Sequence, residues 1–216
     1  MIKYSILLTK VIKKKIDYFS LDALQKAKLF YDCELYIWAG KIYFENKEYE
    51  LALDSFLKCK DGEGIVYSYA KLGQVSKAIE VAIEYNLYGL AGSLCEKSGD
   101  YSRAALFFSY NNTPVKAATF YVKAEMHYEA GMCYLDGQKL DLAFIEFNKC
   151  TDSAQLRQGL LYIEEIAVVL YLDKKYMEAY KLFYKLELFD SALICAYEMH
   201  NKKLIRESER MLKWLS

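Results

Sequence analysis

The residues able to do chemistry are few and scattered. The chain holds two histidines, His127 and His200, and six cysteines, Cys33, Cys59, Cys95, Cys133, Cys150 and Cys195. No two cysteines stand within four residues of each other, and the histidines are too far apart for a local metal motif. Most of the cysteines fall on apolar faces of predicted helices. They are expected as small buried residues of a protein kept in a reducing, cytoplasmic setting. His127 opens a helical unit at a position that Tyr88, Tyr101 and Leu140 hold in other units, which suits packing rather than catalysis. The one adjacent carboxylate pair, Glu164-Glu165, lies in mid-helix, where neighbours point to different faces. There is no glycine-rich phosphate loop and no nucleophile elbow. Catalysis needs convergent polar groups. None is visible, so no enzyme, no metal and no cofactor are expected.

One charged pattern does stand out. Lys71, Lys97, Lys123 and Lys149 follow one another at intervals of 26 residues, while Glu84, Tyr110 and Asp136 occupy the half-steps. If 26 residues make one helical hairpin, these lysines stack along one edge and offer a basic track to an acidic peptide. The competing explanation is local, since lysine in a last helical turn complements the helix dipole.

That spacing leads to the elements that carry it. Residues 101–152 divide without gaps into four blocks of thirteen. Each has Ala at its fourth position (Ala104, Ala117, Ala130, Ala143) and an aromatic at its eighth (Phe108, Tyr121, Tyr134, Phe147). A block of thirteen fits a helix of about ten residues and a turn of about three. Upstream the marker is Ala52, Ala78 and Ala91, with Ile65 between, so 49–152 is predicted to hold eight short antiparallel helices. Asp61-Gly62, Gly73, Gly99-Asp100, Asn111-Asn112 and Gly137 fall at block ends, where a left-handed residue is wanted. Thr113-Pro114 reads as an N-cap followed by proline at the first helical position. The count then breaks, and one long helix is predicted over about 153–172 through Leu156, Leu160, Ile163, Ala167 and Leu170. Hairpins marked by Ala179 with Phe183, and by Ala192, follow it. A charged, amphipathic last helix is predicted over about 202–214. At the other end, 2–18 is predicted as a first helix with Lys10, Lys13, Lys14 and Lys15 in its second half. Ser20 is expected to cap a second helix over about 21–32.

Composition fits this plan. Of 216 residues, 54% are apolar, and there is one Pro against 21 Tyr, as expected of packed helices with short turns. Lys plus Arg and Asp plus Glu both number 29, a balance that disfavours sequence-independent nucleic-acid binding. The apolar run at Tyr4–Leu8 is too short for a secretory leader, and no stretch reaches the length of a membrane span.

In residues 33–66, Gly40, Tyr43, Ala52, Phe56 and Cys59 fall on the small, aromatic, small, aromatic, small positions of a tetratricopeptide repeat. The shorter hairpins, with phrases such as EKSGDYSRAALFF and KAEMHYEAGMCY, resemble the degenerate repeats of solenoid tails in vesicle-coat and intraflagellar-transport subunits. The resemblance implies an all-α, right-handed α-solenoid of short antiparallel hairpins, spanning 1–216 as a single domain. Its parts would be N-terminal helices over 1–35, regular repeats over 36–152, and the long helix with C-terminal hairpins over 153–216. It also implies a non-catalytic scaffold or adaptor for a protein or peptide partner, or a subunit of a larger complex. In tetratricopeptide register the groove side would carry Trp38, Lys41, Glu45, Tyr67, Lys71, Ser93, Lys97, Thr119 and Lys123, with Lys149 continuing the lysine series. The alternatives are a ligand-sensing helical-repeat module and, less favoured by the charge balance, an RNA-binding helical repeat.

Overall fold

A helix of ten residues closed by a three-residue turn is the building unit. The computed structural model describes Thr9 and residues 17–215. A 3-10 turn at Tyr18–Ser20 precedes α1 (Ala23–Asp32), α2 (Tyr36–Glu45), α3 (Tyr49–Cys59), α4 (Gly62–Lys71), α5 (Val75–Glu84), α6 (Tyr88–Ser98) and α7 (Tyr101–Tyr110). Then come α8 (Pro114–Lys123), α9 (His127–Asp136), α10 (Leu140–Phe147), α11 (Ser153–Leu172), α12 (Tyr176–Lys185), α13 (Phe189–Glu198) and α14 (Lys202–Leu215). No strand occurs among the described residues. Helix starts from Ala23 to Ser153 are spaced by thirteen without exception, and the interval returns at Tyr176, Phe189 and Lys202. The 26-residue hairpin therefore also governs 36–59, within the stretch compared above with a tetratricopeptide repeat, a unit of about 34 residues. The protein is an all-α helical repeat with sequential neighbours packed together.

The turn explains the period. A left-handed residue sits at Glu34, Lys47, Lys60, Gly73, Asn86, Gly99, Asn112, Glu125 and Gln138, each thirteen after the last, and again at Lys174, Glu187 and His200. The next N–H reaches back to the carbonyl of the eighth residue of the helix just ended: Glu48 to Tyr43 at 2.9 Å, Asp61 to Phe56 at 3.0 Å, Lys139 to Tyr134 at 2.7 Å. This is a Schellman closure, which satisfies carbonyls the helix end would otherwise leave bare. Gly73, Gly99 and Asn112 are where the sequence places them. Asp61-Gly62 and Gly137 are not turn residues of this kind. Lys60 and Gln138 take the left-handed conformation instead, Gly62 starts α4, and Gly137 has φ −81°. Gly62 is small for packing: a Cβ there would stand 2.4 Å from the Tyr85 ring.

Packing between helices follows a small-against-large rule. The fourth-position markers Ala39, Ala52, Ala78, Ala91, Ala104, Ala117, Ala130 and Ala143 are all fully buried. The eighth-position rings Phe56, Phe108 and Phe147 lie against glycines sixteen residues earlier, Gly40, Gly92 and Gly131. Phe56 also meets Gly64 of α4, and Phe147 meets Gly159 of α11. A buried ring of this size contributes about 2–3 kcal/mol, and glycine lets the neighbouring backbone come close enough to cover it.

The chain divides into two compact units, Met1–Thr113 and Pro114–Ser216. In the first, α1 to α7 pack in chain order and α2 also touches α4. In the second, α8 to α14 pack in order and α9 also touches α11. Eight helices do fill 49–152, and the long helix runs over Ser153–Leu172.

Two end assignments change. Asp22, not Ser20, caps α1: its carboxylate accepts from Gln25 N at 2.8 Å, and Gln25 Oε1 accepts from Asp22 N at 3.0 Å, a capping box. The Thr113 hydroxyl donates to Phe108 O at 2.7 Å, finishing the previous turn. The predicted helix 2–18, with Lys10, Lys13, Lys14 and Lys15, lies outside the described residues except for helical Thr9 and for Asp17 and Tyr18. Asp17 caps the 3-10 turn instead.

Candidate functional site

Alternate helices of the first unit expose the residues expected on a groove. Tyr67, at the sixth position of α4, is about half exposed and touches Phe44 of α2 edge-on, ring centres 6.5 Å apart. On one side of it, Lys41, Phe44 and Glu45 of α2 face Asp61, Glu63 and Gly64 at the start of α4 across a cavity of about 230 Å³. On the other side, Tyr67, Ala70 and Lys71 of α4 face Leu90, Ser93, Leu94 and Lys97 of α6 across a cavity of about 290 Å³. Tyr67 borders both. The alternation is what an antiparallel repeat dictates: α2, α4 and α6 run the same way, and the 26-residue step returns equivalent positions to the same surface.

The expected site residues separate into those this surface gathers and those it does not. Lys41, Tyr67, Lys71, Ser93 and Lys97 come together. The Ser93 hydroxyl is used locally, donating to Gly89 O at 2.9 Å. Trp38 is 48% exposed, with the Lys41 ammonium 5.9 Å from its ring, but it borders a different cavity, with Leu35 and Lys58. Thr119, Lys123 and Lys149 belong to the second unit. Thr119 donates to Lys116 O at 2.7 Å, and Lys123 lies 4.6 Å over the Phe120 ring. Lys149 sits just beyond the end of α10, and its ammonium is held by Glu146 at 2.8 Å. Glu146 is buried and also bonds His127 Nδ1 at 2.9 Å. His127 therefore packs at the boundary as expected, with a hydrogen-bonded carboxylate partner the sequence did not announce.

Asp61, Glu63 and Phe44 were not among the expected residues. Asp-Gly-Glu-Gly at 61–64 resembles a turn, and its acidic pair belongs to the groove only because α4 starts at Gly62. The second unit has its own apolar cavity of about 420 Å³, where Leu156, Leu160 and Leu161 of α11 meet Leu186 and Leu188, with Arg157 and Glu164 at its border.

Reactive groups are not concentrated at any of these places. Burial pushes the thiols of Cys95, Cys133 and Cys195 up, Cys133 to about 11, with Asp136 and Glu129 adding to the burial effect there. A thiol held protonated is a poor nucleophile. Among the described residues no three His, Cys, Asp or Glu side chains are placed to share a metal ion, and no helix is long and apolar enough to cross a membrane. Compared with models of known protein families and with curated protein sequences, the chain gives no significant match.

Proposed function

We propose that this chain is a non-catalytic helical-repeat scaffold or adaptor that holds a protein partner by an exposed peptide segment, alone or within a larger assembly. The observation that carries the reading is the pair of cavities sharing Tyr67, lined from three alternate helices by Lys41, Lys71, Ser93 and Lys97. A half-exposed tyrosine supplies a rigid ring and a hydroxyl at low entropic cost, a residue type favoured at binding hot spots. The lysine stems add apolar cover and place cations at the rim. An extended chain across α2, α4 and α6 would touch both cavities. A small-molecule sensor is the alternative: the two cavities beside Tyr67 are below the usual 300–1,000 Å³ of a ligand pocket, whereas the second unit's apolar cavity of about 420 Å³ falls within it.

The test is gentle crosslinking in the native host, purification and mass spectrometry, done in parallel for the wild type and for Lys71→Glu/Lys97→Glu. The reading expects stoichiometric partner proteins, crosslinks at Lys41, Lys71 or Lys97, and loss of those partners in the charge-reversed protein. A chain that purifies alone, or partners indifferent to the reversal, would overturn it and turn attention to metabolite-induced thermal shifts.

A further inference from the structure

Granting that the groove binds a peptide, its charges specify which one. On the α4–α6 side the only ionised lining groups are Lys71 and Lys97. On the α2–α4 side three carboxylates, Glu45, Asp61 and Glu63, outnumber the single Lys41. The groove is therefore positive at one end and negative at the other, with Tyr67 at the change of sign. These charges are not spent inside the protein. Lys71 and Lys97 enter none of the ion pairs formed by the described residues, and neither do the three carboxylates. Asp61 occupies the N-cap position of α4 without making the side-chain bond such a residue usually gives the helix.

We propose that the groove binds an extended segment with an acidic residue over Lys71 and Lys97, a basic residue over Glu45, Asp61 and Glu63, and an apolar or aromatic side chain between them on Tyr67. The two cavities flank α4, so they lie about one helix diameter apart, about 10 Å, which an extended chain crosses in about three residues at roughly 3.3 Å each. The recognised feature is thus an acidic and a basic side chain about three positions apart. A uniformly acidic segment satisfies one end and is repelled at the other. A nucleic acid strand is disfavoured for the same reason, since its phosphates would run across three carboxylates.

The test is selection of random phage-displayed dodecapeptides on the full-length chain. Fluorescence polarisation of the selected peptides would then compare the wild type with Tyr67→Ala, Lys71→Glu/Lys97→Glu and Glu63→Lys. The expected peptides lose affinity with Tyr67→Ala and carry opposite charges about three residues apart. Lys71→Glu/Lys97→Glu weakens them about tenfold through the acidic residue, and Glu63→Lys weakens them through the basic one. Reversing the charge of the corresponding peptide residue restores binding. Peptides that depend on Tyr67 but carry one sign or no charge, and ignore Glu63→Lys, overturn the bipolar motif while leaving the groove. If no selected peptide responds to Tyr67→Ala, the groove itself is wrong. All four positions are exposed, so the core is spared. Circular dichroism melts check each variant, and Lys71→Gln/Lys97→Gln replaces the reversal if that protein does not fold.

Discussion

Gly159→Ala should destabilise the second unit although alanine is the better helix former. Gly159 lies inside α11, and a Cβ there would stand 2.4 Å from Cδ1 and Cγ of Phe147. That ring is fully buried, and Gly131 of α9 crowds it as well, with a built Cβ 2.4 Å from Cε1. Phe147 is therefore packed against backbone of two different helices and has little room to retreat. Overpacking of this kind costs about 1–3 kcal/mol, and contact with a trapped ring belongs at the upper end. The helix gains about 1 kcal/mol from replacing glycine by alanine. The net loss is about 2 kcal/mol, or a fall in Tm of about 4–8 °C for a chain of this size. Urea unfolding followed by circular dichroism would measure it. A second arm uses Phe147→Leu as background, where the smaller side chain leaves space and Gly159→Ala should become neutral or stabilising. The double-mutant cycle should then give a coupling of about 2 kcal/mol. If Gly159→Ala raises stability in the wild-type background, or the coupling is below about 0.5 kcal/mol, the small-against-large account of the packing is refuted.

Other perturbations test the rest of the structure. Glu146→Ala removes the shared partner of His127 and Lys149 and should cost about 1–3 kcal/mol, whereas Lys149→Ala, which removes only the exposed end of the pair, should cost less than about 1 kcal/mol in the same urea assay. Stability should fall in alkali: the Cys133 thiol is raised from an ordinary 9.0 to about 11 by burial, so its contribution is complete below pH 9 and is lost as the pH climbs to 11. That single group accounts for a fall of about 2–3 kcal/mol, and the buried thiols of Cys95 and Cys195 shift in the same direction. Urea midpoints at pH 8 and pH 10.5 should differ accordingly, and by less in Cys133→Ala; equal midpoints would contradict the burial of this thiol. Glu125 holds φ +58° at the α8–α9 turn, so Glu125→Gly should be at least about 1 kcal/mol more stable than Glu125→Val, whose branched side chain resists that conformation; equal melting temperatures would count against the left-handed closure.

The helices were largely legible because their signals are local. The Ala and aromatic markers lie on one face within a single helix, and they gave eight helices over 49–152 and the unbroken α11. The groove was legible in part. Lys41, Tyr67, Lys71, Ser93 and Lys97 are one or two hairpins apart in sequence, so correct helix parity brought them together. Trp38 passed the same register test and still borders another cavity, because position along a helix and direction around it both decide where a side chain lands. Lys149 followed the 26-residue spacing but sits past the end of the shortened α10, where Glu146 takes its charge.

Sequence by itself determined the repeat unit and the order of the helices, since both follow from residue types at short fixed spacings. Tertiary structure alone decided how the remaining glycines divide between turning and packing. Lys60 and Gln138 adopt the left-handed conformation next to available glycines, while Gly62 and Gly64 are spent on admitting Tyr85 and Phe56. A Schellman closure fixes the turn by hydrogen bonds whose position depends on where the helix ends. A glycine's freedom at a turn is worth about 1 kcal/mol, less than the loss of a buried ring such as Phe56, so packing claims the glycine and the turn makes do with lysine.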